Sequence, residues 1–325
     1  MKNKLLIGGA FFLFSLIILF TTKAGFMANF IAYMCIFIIA GHGWNLLGGY
    51  VGEISFGHAV FFGLGAYTVG LPIGYGYNFP VLLMVLVGAI VAALFAIIIS
   101  IPLLRVKGFP FLVGSYGLGF VILTIFINSP KLFATRGIFI PSLNSYLLYG
   151  LIYLLTIVIT LFIAWFVKQS IGLQFKAVRD VPVAAQMVGI NIYRTKATAL
   201  VVGAFIVGLA GGLFAVYSSF VNPHSSFGFG TSLAILLGPY IGGVGTILGP
   251  VFGGAIVIIF QEYTRSLITA SGGHHLALGL LLVGVMMTNK EGIYPAIIKL
   301  LYKLKSNHKI STMFSNVKVK FNKYN

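Results

Sequence analysis

Acidic residues are almost missing from this chain of 325 residues: Glu53, Asp180, Glu262 and Glu291 are the only four. Charged residues of both signs make up 8%, against about 25% in a soluble domain. With 59% hydrophobic residues and a mean hydropathy of +1.05, the chain has too little charge to cover a water-facing core. A soluble enzyme, a disordered chain and an ectodomain on a single anchor are excluded. Cysteine is represented by Cys35 alone, so there is neither a disulfide framework nor a metal-ligand spacing. No Gly-x4-Gly-Lys-Ser/Thr loop occurs, and ATP is not bound by that route. The six histidines form no metal cluster. His42 and His58 lie in separate apolar runs and read as hydrogen-bonding residues at helix contacts; His274-His275 marks a run end. No run pairs two carboxylates, or a nucleophile with a base, at helical spacing, which speaks against an intramembrane enzyme.

What the chain does have is long apolar runs, at 5–22, 26–47, 51–71, 80–104, 109–128, 146–167, 197–218, 231–247, 248–263 and 274–289. One spanning helix takes about 20 residues. The expectation is an all-α, polytopic membrane bundle of about ten transmembrane helices over residues 1–295, followed by a basic tail, 296–325. The first run resembles a signal peptide but lacks a clear cleavage site, so it reads as a retained helix. The Gly- and Pro-rich pair 231–263 is also compatible with one re-entrant hairpin, which leaves eight spans.

The formal charge of +17 fits positive-inside loops better than nucleic-acid binding. With both termini in the cytoplasm, every Lys and Arg falls inside except Lys23, Lys131, Arg136 and Arg265. The tail reads as an orientation signal in contact with anionic lipid. Glycine numbers 41, often at spacing four, as in Gly208 and Gly212, which suits close helix packing in lipid. Gly238-Pro239 and Gly249-Pro250 suggest broken helices along a pathway, because proline frees backbone groups that need a polar partner.

The cytoplasmic loop 168–196 is the longest polar segment inside the hydrophobic body. Within it, Asp180 can cap a helix, Pro182 suits a first turn and Gly189 a left-handed end. Val181, Ala184, Ala185 and Val188 then share one small apolar face. Such a helix is too short to stand alone in water. It needs either the rest of this chain or a docked cytosolic protein.

Ala184-Ala185-x3-Gly189 resembles the coupling loop of ABC importer permeases, although Val183 replaces their Glu. Asp180 to Asn191 is similar to the version in the branched-chain amino-acid group. The stretch from Asn45 to Tyr67, with Glu53, Ser55, Gly57 and His58, closely resembles that group's Asn-Leu-x-x-Gly signature segment; Glu53 stands where Gln is usual. Gly242 to Ala255 resembles its Gly-Gly-x-Gly-Thr motif. The likeness runs from about residue 25 to 295, and within the group it is nearest the M-type subunit. Urea and short-chain amide permeases share all three motifs.

The resemblance implies a non-catalytic permease of the bacterial inner membrane, paired with an H-type permease subunit. Two cytosolic ATPases, carrying the ATP and Mg, and an extracytoplasmic binding protein complete the assembly. This chain itself would bind no cofactor and no metal. The resemblance also implies an ATPase-coupling loop with Arg179, Asp180, Val181, Ala184, Ala185, Val188 and Gly189. Pathway or gating residues would be Asn45, Glu53, Ser55, Gly57, His58, Gly238, Pro239, Gly249 and Pro250. Glu53 is expected near the cytoplasmic end of its span, either solvated or hydrogen-bonded, or with a gating role. An ATP-independent channel or ion-coupled carrier is the alternative of another class.

Overall fold

A computed structural model describes residues 25–141, 145–267, 277, 279–281, 283–284 and 292–295. The expected first helix 5–22, most of the run 274–289 and the tail 296–325 lie outside the described residues. The rest is predominantly helical. Helices α1 (Phe26–Asn45), α2 (His58–Gly74), α3 (Val81–Leu103), α4 (Phe109–Asn128) and α5 (Ser145–Phe166) follow in order. Two short helices come next, α6 (Ser170–Asp180) and α7 (Pro182–Met187), then the long α8 (Ile192–Ser218). A one-turn α9 (Pro223–Phe227) leads to α10 (Phe229–Gly242) and α11 (Gly249–Leu267). The all-α reading gains one local addition, an antiparallel pairing of β1 (Ile138–Phe139) with β2 (Phe220–Val221).

Five described helices are long and apolar enough to cross a membrane: α1 with its continuation to Val51, α3, α4, α5 and α8. The apolar helix α2 has 17 residues and α10 has 14. At 1.5 Å per residue, α10 is about 21 Å long, shorter than the ~30 Å hydrocarbon layer. The run 231–263 thus forms two helices joined by a turn at 243–248.

The centre of the bundle is α8, packed against α1, α2 and α3. Glycine decides how closely. A methyl on Gly203 would come within 2.5 Å of the Gly43 carbonyl oxygen, and one on Gly208 within 2.5 Å of the Ala92 methyl. Gly65 faces the backbone of Gly208, and Gly211 that of Phe62. In lipid, where the solvent is as apolar as the side chains, such close approach supplies the dispersion contacts that hold helices together. Outward-facing residues of α3 and α4, including Leu86, Leu94, Phe120 and Ile125, are exposed, as a lipid-facing surface requires.

The expected span 51–71 is broken. After Asn45 the helix widens into a π-helical turn, Leu46–Val51, closed by Gly52 at φ +88°. Residues 52–57 are non-helical before α2 starts at His58. Non-helical backbone inside an apolar bundle needs partners within the protein, and several are present. Trp44 Nε1 donates to the Ser55 carbonyl (2.8 Å), Ser55 Oγ accepts from Gly57 N–H (3.2 Å), and Ser115 Oγ accepts from Phe56 N–H (3.1 Å).

Candidate functional site

The broken joint between α1 and α2 collects polar groups from four other parts of the chain. Asn45 sits at the end of α1, fully buried. Its Nδ2 donates to the Thr246 carbonyl and its Oδ1 accepts from Gly245 N–H, each at 2.9 Å. The end of α1 is thereby tied to the turn between α10 and α11. Arg179, one residue before the end of α6, donates from Nη1 to the Gly49 carbonyl at 2.6 Å. Lys196, on the first turns of α8, forms a buried ion pair with Glu53, whose other oxygen accepts from Gly108 N–H at 3.4 Å.

Lys196 corrects the sequence expectation. The polar loop is expected to run through Lys196, but α8 starts at Ile192 and Lys196 is buried. The reason is electrostatic: an ammonium can be buried when a carboxylate meets it, and Glu53 is that carboxylate. Both Glu53 oxygens are thereby engaged.

The α7 helix stands where the loop pattern places it, with Pro182 in its first turn. Gly189 takes φ +86°, its N–H donates to the Gln186 carbonyl, and Ile190 N–H to that of Ala185. This crossed pair is the left-handed helix end that glycine makes easy. Asp180 does not cap α7. It is the last residue of α6, and Val181, with no capping side chain, holds the cap position.

The expected apolar face of α7 is split. Ala185 is buried against its own chain, at 3% exposure, whereas Val181, Ala184 and Val188 are exposed. Val183 and Met187 join them, at 68% and 85% exposure. Neither of these two stands out in the sequence, since they fall off the i, i+3, i+4, i+7 stripe. The helix presents an apolar knob rather than a stripe, and exposed apolar clusters mark contact surfaces.

Gly238, Pro239, Gly249 and Pro250 meet at the crossing of α1, α10 and α11. Gly238 lies over the backbone of Gly254, and a methyl on Gly41 would stand 3.2 Å from Pro239 and 3.5 Å from Pro250. Pro239 lies inside α10 and is buried. His42 shares a 3.0 Å hydrogen bond with Thr160 Oγ1 of α5, as expected of a helix contact. His58 departs from that reading. Both ring nitrogens are buried without a hydrogen-bond partner, and its ring packs edge-on against Trp44 and Phe61.

The other feature is a cavity of about 870 Å³ at the far end of α8. Its walls include Phe30, Tyr33 and Phe37 of α1 and Phe214 of α8, and its polar groups include Asn29 and Glu262. None of the sequence-predicted site residues lines it. Lys196 and Ser218 are near opposite ends of α8, whose 27 residues span about 40 Å. The α7 knob and the cavity are therefore separated by the thickness of a membrane and joined by one helix.

A lipid-facing bundle, an apolar knob at one end and a cavity at the other define a polytopic membrane transport component. Residues 26–288 match the family described as branched-chain amino acid transport system / permease component, and the chain belongs to that family. It is 28% identical to the high-affinity branched-chain amino acid transport system permease protein LivM of Salmonella typhimurium, over 80% of this chain and 68% of that one. The corresponding LivH protein of Escherichia coli is 26% identical over 44% of this chain and 46% of its own length. The guanosine ABC transporter permease protein NupQ of Bacillus subtilis is 32% identical over 27% of this chain and 30% of its own. No solved structure matches.

Proposed function

We propose that this chain is the M-type permease subunit of an ATP-driven importer of branched-chain amino acids in a bacterial cytoplasmic membrane. It pairs with an H-type permease, two cytosolic ATPases and an extracytoplasmic binding protein. It binds no cofactor itself and carries out no chemistry; ATP and Mg belong to the ATPases. The coverage by LivM, nearly twice that by LivH, supports the M-type reading. About ten spans, or eight with 231–263 as a re-entrant hairpin, and both termini and α7 in the cytoplasm, accord with the distribution of Lys and Arg.

The observation that carries the mechanism is the position of α7. Its exposed Val183, Met187 and Val188 offer an apolar knob for a groove in the ATPase. Full burial of each such side chain contributes about 1.5–3 kcal/mol. Behind the knob, α6 grips the α1–α2 joint through Arg179, and α8 grips it through Lys196. A displacement of α7 is therefore delivered to the joint holding Asn45, Glu53, Ser55, Gly57 and His58. From there Asn45 passes it to the α10–α11 turn, beside Gly238, Pro239, Gly249 and Pro250. In this role those residues gate the pathway by moving its walls.

Uptake of radiolabelled leucine, urea and guanosine by cells with and without this chain tests the reading. ATP-dependent leucine uptake that disappears with the chain is expected. Urea or guanosine uptake in its place would overturn the substrate, and uptake by the purified chain alone in liposomes would overturn the coupling.

A further inference from the structure

We infer that the cavity between α1, α8, α9, α10 and the end of α11 is a subsite for one free zwitterionic amino acid with an apolar side chain, held by Glu262 and the start of α10. This rests on the proposed function and specifies how the permease itself recognises its cargo.

Glu262 supplies a carboxylate to a cavity that is otherwise uncharged among its lining residues, apart from His224. This carboxylate, on α11, suits an ammonium donor. Gly228, Phe229, Gly230 and Thr231, also on the lining, present the start of α10, which no side chain caps. Thr231 and Ser232 N–H already donate to the Gly228 carbonyl, which leaves the N–H groups of Phe229 and Gly230 and the positive dipole end to favour a carboxylate. Phe30, Tyr33, Phe37 and Phe214 then provide an apolar wall for the side chain. The hydroxyl hydrogens of Ser225 and Thr231 are already spent on the Asn222 and Ser225 carbonyls. The charged and backbone groups thus remain to do the binding. Urea or a nucleoside has no ammonium to satisfy Glu262, and a simple cation has nothing for the α10 end. At about 870 Å³ the cavity is within the usual range for small-molecule sites.

The test uses the assembled importer, without its binding protein, in detergent. Leu123 lies on the apolar wall, and Cys35 is buried, so Leu123→Cys provides one reactive thiol in this chain, followed by mass spectrometry of its peptide. Its modification by a maleimide is timed with leucine, with 4-methyl-2-oxopentanoate (no ammonium) and with 3-methylbutylamine (no carboxylate). Leucine is expected to slow modification, the other two to have little effect. Adding Glu262→Gln weakens protection by leucine about tenfold, the effect of losing one charge-assisted hydrogen bond. That substitution keeps the side-chain shape, and unchanged co-purification of the partner subunits verifies folding. Equal protection by all three compounds, no protection by leucine, or protection insensitive to Glu262→Gln overturns the subsite. Leucine uptake by the unmodified importer is measured in parallel. If uptake is intact while protection fails, the subsite is wrong and the importer reading stands; if uptake is absent, the importer's substrate is wrong.

Discussion

Lys196 at the base of α8 is locked to Glu53 in the joint between α1 and α2, across 143 residues of sequence. Both partners are buried, so neither charge can be removed singly without stranding the other. Lys196→Met is expected to cost about 3–5 kcal/mol, because it leaves an unpaired carboxylate. The double change Lys196→Met with Glu53→Gln recovers most of that loss. Thermal unfolding of the purified chain in detergent measures both. A double variant as unstable as the single one would contradict the pairing.

The Arg179 strap predicts a separation of binding from coupling. Arg179→Ala removes the hydrogen bond to Gly49 but leaves the exposed knob of α7 in place. The ATPases should still co-purify in normal amounts. Leucine uptake should fall at least about tenfold while ATP hydrolysis persists, as expected for losing a charged hydrogen bond worth about 1.5–3 kcal/mol.

The knob itself predicts the opposite pattern. Val188→Asp or Met187→Asp places a carboxylate in a contact that must be dry. The chain should insert and fold normally, since both side chains are exposed, and the ATPases should no longer co-purify. Ala185→Glu is a less informative change, because Ala185 is packed inside its own chain and the substitution disturbs α7 directly.

Helix packing predicts where glycine can be replaced. Gly208→Val drives a side chain into Ala92 and the α3 backbone and should lower stability by about 1–3 kcal/mol or more. Gly150→Ala meets no atom within 4 Å. It should leave stability unchanged or raise it by up to about 1 kcal/mol, through better helix propensity. Unfolding midpoints of the two variants provide the comparison.

The amino-acid sequence by itself determined the solvent, the helical class, most helix bounds and the place of α7. Each of these depends on neighbours along the chain: apolar run length sets a span, and Pro182 and Gly189 start and stop a two-turn helix. It also located Asn45 and Glu53 inside a motif, though without their partners. Only the tertiary structure decided that Asn45 reads the α10–α11 turn, that Glu53 meets Lys196, and that α7 exposes Val183 and Met187. The cavity around Glu262 was equally hidden, since its walls come from helices whose proximity no local pattern encodes. The physical reason is that burial and charge pairing are properties of three-dimensional neighbours. A lysine at the edge of an apolar run reads as solvated until a carboxylate from a distant segment is brought against it.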